Sequence, residues 1–269
     1  MSSHLKRWIS GIIAVPILFA IIFYGSVVVF TAFITVVILG AVIEYNRMAF
    51  NGGFTWEKRE GLIIAVLLPL AAYSGDFRIV LAVVAFSVLS VFILFLLKID
   101  NYSFDIVPVS KLVLGLMYIP FMLSHFILLR ISQDGIIWIF LILVLAFSGD
   151  ITAYYVGKTV GKKKLMPLIS PGKTVEGTIG LLVGSVLGCV LFRGVFYQTI
   201  SIFHAVTLGL LGGILGQLGD LYESTIKRTS GVKDSGSLII GHGGLLDRLD
   251  CLIFITPFVY YYKVFVMTL

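Results

Sequence analysis

The sequence predicts an all-α polytopic membrane protein with about nine transmembrane helices and a cytoplasmic N-terminus. Hydrophobic residues make up 59% of the 269 residues, charged residues only 13%, and the mean hydropathy is +1.07. A soluble domain carries about 25% charged residues, so this much apolar surface needs the bilayer as its solvent. Unbroken apolar runs of this length favour helices over strands.

Nine apolar runs are each close to the length of about 20 residues that crosses the hydrocarbon core. The first follows Lys6 and Arg7 and lacks a small-residue cleavage site, so we interpret it as a retained signal-anchor helix. The third is short and ends at Ser74, which is typical of a tight hairpin with the fourth. The runs are 8–24, 26–44, 61–75, 77–97, 110–129, 135–157, 177–195, 203–226 and 248–266.

The basic residues indicate the orientation. With the N-terminus in the cytoplasm, all but four of the 20 Lys and Arg residues fall on the cytoplasmic side, as the positive-inside rule requires. We therefore predict an inner (plasma) membrane protein whose loops 158–176 and 227–247 face the cytoplasm. The net charge of +6 is explained by this topology and by anionic membrane lipids, so we predict no nucleic-acid partner. The four exceptions are Arg78, Arg130, Arg193 and Lys263.

Small residues recur at four-residue spacing in the seventh and eighth spans, which allows helices to approach closely in a membrane. We predict a packing role for them rather than phosphate binding, and the same faces leave a homodimer open. Cys189 and Cys251 lie in apolar runs and are interpreted as core residues rather than as a disulfide or metal pair. The glycines are Gly180, Gly184, Gly188, Gly209, Gly212, Gly213 and Gly216.

Acidic side chains within membrane spans are costly and therefore indicate function. Five of them fall within or at the inner ends of spans six, eight and nine, and Glu44 closes span two in the same leaflet. Such a cluster is hard to explain as a solvated surface. The five are Asp150, Asp220, Glu223, Asp247 and Asp250.

The eighth span carries a polar stripe on a single helix face. Asp220, Glu223, Ser224 and Lys227 lie at positions i, i+3, i+4 and i+7, and Arg228 follows. The stripe indicates binding of a metal and phosphates. The alternative is an internal salt-bridge ladder, such as Asp220 with Lys227.

The following loop ends in glycines and two further acids. Gly243 and Gly244 precede a predicted helix, so their amides are expected to face an anion. Asp247 and Asp250, one turn apart on that helix, could reach one hard cation or two neighbouring ones. For His242 three roles are open: a general base, a phosphate donor or a turn residue beside the glycines. Its context favours a phosphate or carboxylate contact over metal ligation, because no second His or Cys is near.

The loop between spans six and seven supplies a second polar segment, Asp150 to Glu176. Lys173 and Thr174 are candidate phosphate ligands, although the segment is not a Walker motif because its first glycine and preceding strand are missing. We interpret the run 162–164 as a lipid-facing anchor. The sequence has no Ser-His-Asp set, HExxH or CxxC motif, and acids with Lys, Arg and Gly loops indicate phosphoryl or nucleotidyl chemistry with Mg²⁺.

Two stretches resemble the phosphatidate cytidylyltransferase (CDP-diacylglycerol synthase) family. The first is the signature that begins Ser224-Thr225-Ile226-Lys227-Arg228, continues Lys233-Asp234-Ser235-Gly236 and ends with His242-Gly243-Gly244-Leu245-Leu246-Asp247-Arg248-Leu249-Asp250. The second comprises Asp150 to Lys158 and the run from Ser170 to Gly177. The similarity covers about residues 147–256. One departure is Ile240, where the family usually has Pro, although Gly241 can still supply the bend.

The resemblance implies that CTP and phosphatidic acid give CDP-diacylglycerol and pyrophosphate in phospholipid biosynthesis, with Mg²⁺ at one or two sites. It also implies that residues 1–130 form a transmembrane scaffold and that residues 131–269 form the catalytic transmembrane region. The expected catalytic residues are Ser224, Lys227, Arg228, Asp247 and Asp250; the expected substrate-binding residues are Lys173, Thr174, Lys233, His242, Gly243, Gly244 and Arg248; and the expected metal ligands are Asp150, Asp220, Asp247 and Asp250.

Two other functions remain open on the sequence. A CTP-dependent polyprenol or dolichol kinase would transfer the terminal phosphoryl group and release CDP. An ion-coupled transporter would also use buried acids and glycine-broken helices, but here the acids cluster at one leaflet rather than at the midplane.

Overall fold

The computed structural model describes residues 3–50, 55–98, 105–238 and 243–267, and these residues are mostly helical. The helices are α1 (Ser3–Tyr24), α2 (Val27–Ala49), α3 (Trp56–Tyr73), α4 (Phe77–Lys98), α5 (Val107–Leu116), α6 (Met122–Ile131), α7 (Gly135–Val160), α8 (Val175–Phe196), α9 (Ile202–Thr229) and α10 (Asp250–Val266). A π-helical turn, Met117–Phe121, joins α5 to α6, and a 3₁₀ turn, Leu246–Arg248, precedes α10.

Within the described residues, six helices are long and apolar enough to cross a membrane. This confirms a multi-pass membrane protein. The six are α2, α4, the joined α5 and α6, α7, α8 and α9. The helices α1, α3 and α10 coincide with the first, third and ninth predicted spans, and the count of nine spans stays a prediction.

Three of these helices have a hydroxyl side chain as their N-terminal cap. Ser26 accepts a hydrogen bond from the amide of Val29 at 3.3 Å, and Ser201 accepts one from His204 at 3.2 Å. Thr174 does the same for Gly177 at 3.0 Å at the start of α8. Each oxygen satisfies one of the amides that a helix N-terminus leaves without an intrahelical partner.

The all-helical prediction missed a small antiparallel hairpin between α7 and α8. Its strands are β1 (Lys164–Met166) and β2 (Ser170–Thr174), with Lys164 opposite Thr174. The carboxylate of Glu176 accepts the amides of Lys162 and Lys163 at 3.0–3.2 Å, and the Val175 amide donates to the Lys163 carbonyl at 2.8 Å. These bonds fix the hairpin to the first turn of α8.

The chain forms two compact units. The first comprises Met1–Gln133 with Asp234–Asp247, and the second comprises Asp134–Lys233 with Arg248–Leu269. The loop segment that contains Asp247 thus belongs to the same unit as helices α1 to α6. The predicted division into a scaffold at 1–130 and a catalytic region at 131–269 concerns roles and stays a prediction.

Glycines bring α7, α8 and α9 together in the second unit, as the spacing predicted. A Cβ at Gly180, Gly184 or Gly188 would overlap side chains of α7. A Cβ at Gly209 would lie 2.6 Å from the Cα of Val186 on α8. Their packing role is confirmed. These faces are used within the chain, so they no longer support the predicted homodimer, which stays untested.

Candidate active site

An ion pair between β2 and α9 lies at the centre of the polar cluster in the second unit. The Lys173 ammonium contacts the Asp220 carboxylate, and the two side chains are 21% and 33% exposed. The carboxylates of Asp150, on α7, and Asp250, on α10, both interact electrostatically with Asp220 and with Lys173. Four residues singled out in the sequence are therefore brought together, and we call them the acid–lysine cluster.

Local packing positions the cluster. A Cβ at Gly219 would lie 2.5 Å from the carbonyl oxygen of Asp250, so the first turn of α10 can approach α9 only where α9 carries a glycine. One turn beyond Asp220, the buried Ser224 hydroxyl lies 3.4 Å from an Asp220 carboxylate oxygen. The amide of Cys251 donates to the Asp250 carboxylate at 2.8 Å.

The acid–lysine cluster has the charge and the ligand type that suit a hard cation. Three carboxylates and one ammonium leave a net charge of −2 when all are ionised, and carboxylate oxygens are the ligands that Mg²⁺ prefers in proteins. Among the described residues, no three acidic, His or Cys side chains stand close enough to enclose a metal ion. Lys173 instead occupies the position beside Asp220, so the cluster fits Mg²⁺ in its chemistry and needs side-chain movement to bind it.

The polar stripe on α9 divides between two ion pairs. Lys227 pairs with Glu223, whose side chain is fully buried, whereas Asp220 pairs with Lys173. The alternative ladder of Asp220 with Lys227 is therefore not the one that forms. Breaking a buried pair leaves an uncompensated charge, so Lys227 stabilises Glu223 in addition to its predicted contact with phosphate.

Three other predicted phosphate ligands differ in their surroundings. The Arg228 guanidinium donates to the carbonyls of Ile169, in the hairpin, and Val232, at 3.1 and 3.0 Å. Thr174 is buried and caps α8, as described above, and Lys233 is exposed. Arg228 and Thr174 thus have structural contacts of their own, and the predicted substrate contacts of all three stay predictions.

Asp247 belongs to the first unit, where three donors surround one of its oxygens. Its Oδ2 accepts the amides of Ser235 and Gly244 at 3.1 and 3.0 Å and lies 3.1 Å from the Ser235 hydroxyl. The Gly244 amide was expected to face a ligand anion, and in this structure it faces the Asp247 carboxylate. Gly243 has a φ of +83°, a conformation that glycine adopts without steric cost.

The prediction that Asp247 and Asp250 lie one turn apart on one helix is wrong. Asp247 lies in the 3₁₀ turn, and α10 begins only at Asp250 after the intervening Leu249. Spacing alone cannot show where a helix begins. Arg248, between the two acids, is exposed.

Residues 5–266 match the sequence profile of the Cytidylyltransferase family. The chain belongs to this family. It is 34% identical to the phosphatidate cytidylyltransferase of Bacillus subtilis (strain 168) over 261 residues, which cover 95% of this chain and 96% of that protein. The corresponding protein of Synechocystis sp. is also 34% identical, with 97% of both chains covered, and that of Staphylococcus aureus (strain COL) is 32% identical, with 93% and 95% covered.

The family resemblance inferred from residues 147–256 is therefore confirmed, and it extends over nearly the whole chain. Family membership adds no geometry to His242 and Ile240, which lie outside the described residues. The predicted contact of His242 and the effect of Ile240 stay predictions.

Sequence reasoning assigned no role to Glu44, which contacts both residues that flank or bind Asp247, Leu246 and Ser235. Glu44, at the C-terminal end of α2, accepts the amide of Leu246 at 2.9 Å, and its carboxylate oxygen lies 3.0 Å from the Ser235 hydroxyl. Glu44 had been noted only as an acid that closes the second span. Its intramembrane position was the one available signal, because the contact joins segments about 200 residues apart in the chain.

Proposed function

We propose that this chain transfers the cytidylyl group of CTP to phosphatidic acid, giving CDP-diacylglycerol and pyrophosphate. The observation that carries the proposal is the acid–lysine cluster, which places three carboxylates and an ammonium among membrane-embedded helices. The proposal also rests on membership of the cytidylyltransferase family and on relatives named phosphatidate cytidylyltransferase. The chain is a nucleotidyltransferase that acts in phospholipid biosynthesis.

In the proposed reaction a phosphate oxygen of phosphatidic acid attacks the α-phosphorus of CTP. A phosphorus–oxygen bond forms there, the bond to the bridging oxygen of the β-phosphate breaks, and pyrophosphate leaves with that electron pair. The attacking oxygen is already anionic near pH 7, so no strong base is required. The main barrier is the approach of two anions, which fixed cations and aligned positioning lower.

The side chains of the second unit have distinct roles in this scheme. Lys173 leaves Asp220 to contact a substrate phosphate, and the Ser224 hydroxyl donates to a phosphate oxygen. Lys227, held by Glu223, adds positive charge to the same face of α9. Arg228, Lys233 and Arg248 neutralise the phosphates from the loop side.

Mg²⁺ is the expected cofactor. Asp150, Asp220 and Asp250 would hold it in the second unit, and Asp247 is a further predicted ligand in the first. When bound, the ion supplies charge neutralisation on the triphosphate. One or two metal sites are compatible with this set of carboxylates.

The proposed topology has nine spans, a cytoplasmic N-terminus and an active site that faces the cytoplasm from the inner membrane. Its support is the strong bias of Lys and Arg to one side. CTP then arrives from the cytoplasm, whereas phosphatidic acid enters sideways from the bilayer.

A coupled pyrophosphate-release assay with CTP and phosphatidic acid in detergent or nanodiscs tests the proposed function. Pyrophosphate and CDP-diacylglycerol should form in equal amounts and only when both substrates are present. Release of CDP with a polyprenol acceptor would instead indicate the kinase reaction. Absence of either product, together with cation-coupled solute uptake in proteoliposomes, would indicate a transporter.

A further inference from the structure

We infer that Glu44, on α2, is a positioning residue that fixes the conformation of the Asp247 segment, residues 234–247 of the same unit. The role rests on the proposed function, because Asp247 is a predicted metal ligand of that reaction. Glu44 lies in the first unit together with residues 234–247. It gives the N-terminal helices a specific part in the chemistry beyond a scaffold.

The contact is made at both ends of the segment. The Oε2 atom of Glu44 accepts the amide of Leu246, the residue before Asp247, at 2.9 Å. The same oxygen lies 3.0 Å from the Ser235 hydroxyl, and that hydroxyl lies 3.1 Å from Asp247 Oδ2. One carboxylate thus fixes the backbone beside Asp247 and the side chain that contacts Asp247.

The geometry of Ser235 couples the two acids. A serine hydroxyl has a single proton to donate, yet its oxygen lies within hydrogen-bond distance of both carboxylates. The Ser235 amide also donates to Asp247 at 3.1 Å. A shift of Glu44 therefore changes the position and the hydrogen bonding of Ser235, whose amide and hydroxyl both contact Asp247.

Two glycines make room for this contact. A Cβ at Gly236 would overlap the Glu44 carboxylate, and a Cβ at Gly244 would overlap the Ser235 hydroxyl. The Cβ at Gly244 would also lie 2.8 Å from both Asp247 Oδ2 and Glu44 Oε2. Both positions therefore exclude larger residues as long as Glu44 stays where it is.

The placement of Glu44 is costly, which argues against an incidental contact. The residue is 0% exposed, and within the described residues Oε1 has no hydrogen-bond partner. Among those residues it also forms no ion pair with a Lys or Arg. Burial of a carboxylate is unfavourable unless hydrogen bonds compensate for it, so the bonds from Leu246 and Ser235 are what keeps Glu44 in this position.

The variants Glu44→Gln and Glu44→Leu test this role in nanodiscs. Gln keeps an oxygen acceptor for the Leu246 amide, whereas Leu keeps the volume and removes the acceptor. Hydrogen–deuterium exchange of residues 234–247 and steady-state kcat and KM for CTP are measured for both. Glu60→Leu is the matched control, because Glu60 accepts the Ser90 hydroxyl at 2.6 Å within the same unit but outside this segment.

We expect Glu44→Leu to speed exchange in residues 234–247 and to lower kcat, each by about 10-fold or more, as loss of a hydrogen bond to a charged group implies. Glu44→Gln should restore both values to within about 3-fold of the wild type, and Glu60→Leu should change neither. Gly236→Ala keeps the Glu44 residue but forces its carboxylate to move, because the added Cβ would overlap it. This variant should reproduce the effects of Glu44→Leu if Glu44→Leu does not fold.

Wild-type exchange in folded Glu44→Leu would overturn the contact, and faster exchange with wild-type kcat would overturn the positioning role. An equal loss in the Gln and Leu variants would also overturn it, because the charge rather than the acceptor would then matter. Failure of the proposed function can be told apart from failure of the Glu44 role. In the first case the wild-type enzyme releases no pyrophosphate, whereas the hydrogen–deuterium exchange of the variants still tests the Glu44 contact.

Discussion

Removal of the Lys173 charge is the most direct test of the acid–lysine cluster. Lys173→Met changes the net charge of the four-residue cluster from −2 to −3 when all the groups are ionised. Two unit charges 4 Å apart interact by about 4 kcal/mol at an effective dielectric constant of 20. Lys173 and Asp220 are partly exposed, so solvent screening lowers this energy. Three carboxylates nevertheless share the one ammonium, and we expect its loss to affect substrate and metal binding.

The expected loss follows from the proposed contact of Lys173 with a substrate phosphate. Removal of one preorganised electrostatic contact typically lowers kcat by about 10²- to 10³-fold, and we expect a loss of this size in pyrophosphate release. Lys173→Arg should recover part of the activity, because the charge remains but the geometry changes. Lys164→Met is the control, since Lys164 is exposed and lies opposite Thr174 in the same hairpin.

The Mg²⁺ concentration needed for half-maximal activity should change in a direction that a general folding defect would not reproduce. A cluster of charge −3 attracts Mg²⁺ more strongly than one of −2, so Lys173→Met should reach half-maximal activity at a lower Mg²⁺ concentration. Asp150→Asn removes a negative charge and should raise the Mg²⁺ concentration that gives half-maximal activity. Two results would contradict the proposed contact of Lys173 with a substrate phosphate. One is a kcat of Lys173→Met within about 3-fold of the wild type, which is well short of the loss expected for an electrostatic contact. The other is a raised magnesium requirement.

Three further predictions test single contacts. Asp247→Asn should reduce turnover by about 10³-fold while thermal unfolding stays near wild type, and wild-type turnover would remove Asp247 from the ligand set. Gly184→Val should destabilise the protein by about 1–3 kcal/mol, because its Cβ would overlap Thr152 and lie 2.7 Å from the Ser148 carbonyl oxygen; an unchanged melting temperature would contradict this. Arg228→Met should make the hairpin more sensitive to limited proteolysis, and an unchanged cleavage rate would show that its two carbonyl contacts are dispensable.

The helical framework could be predicted because apolar run length is a direct physical requirement of the bilayer. The structure has a helix at each apolar run, including α3 at the short third run. The hairpin could not be predicted in the same way. Its strands are only 3 and 5 residues long and contain Lys, Pro and Gly, so they lack the alternating pattern that indicates a strand.

The candidate site was predictable where its residues share one strong signal. Acids within apolar spans singled out Asp150, Asp220 and Asp250, and the structure groups them with Lys173. Which partner each charged group chooses was not predictable, because the pairing of Lys173 with Asp220 joins different elements of the fold. The contact of Glu44 with Leu246 is of the same kind, since no pattern of spacing reports a pair separated by 202 positions.

The partners of the carboxylates imply an order for metal binding in the second unit. Asp220 already contacts Lys173, and Glu223 already contacts Lys227. Asp150 and Asp250 form no ion pair within the described part of this unit. A cation must therefore displace an ammonium to reach Asp220, but it displaces none at Asp150 or Asp250. In the proposed reaction the triphosphate of CTP would draw Lys173 away from Asp220, so we expect binding of the nucleotide and binding of the metal at Asp220 to favour each other.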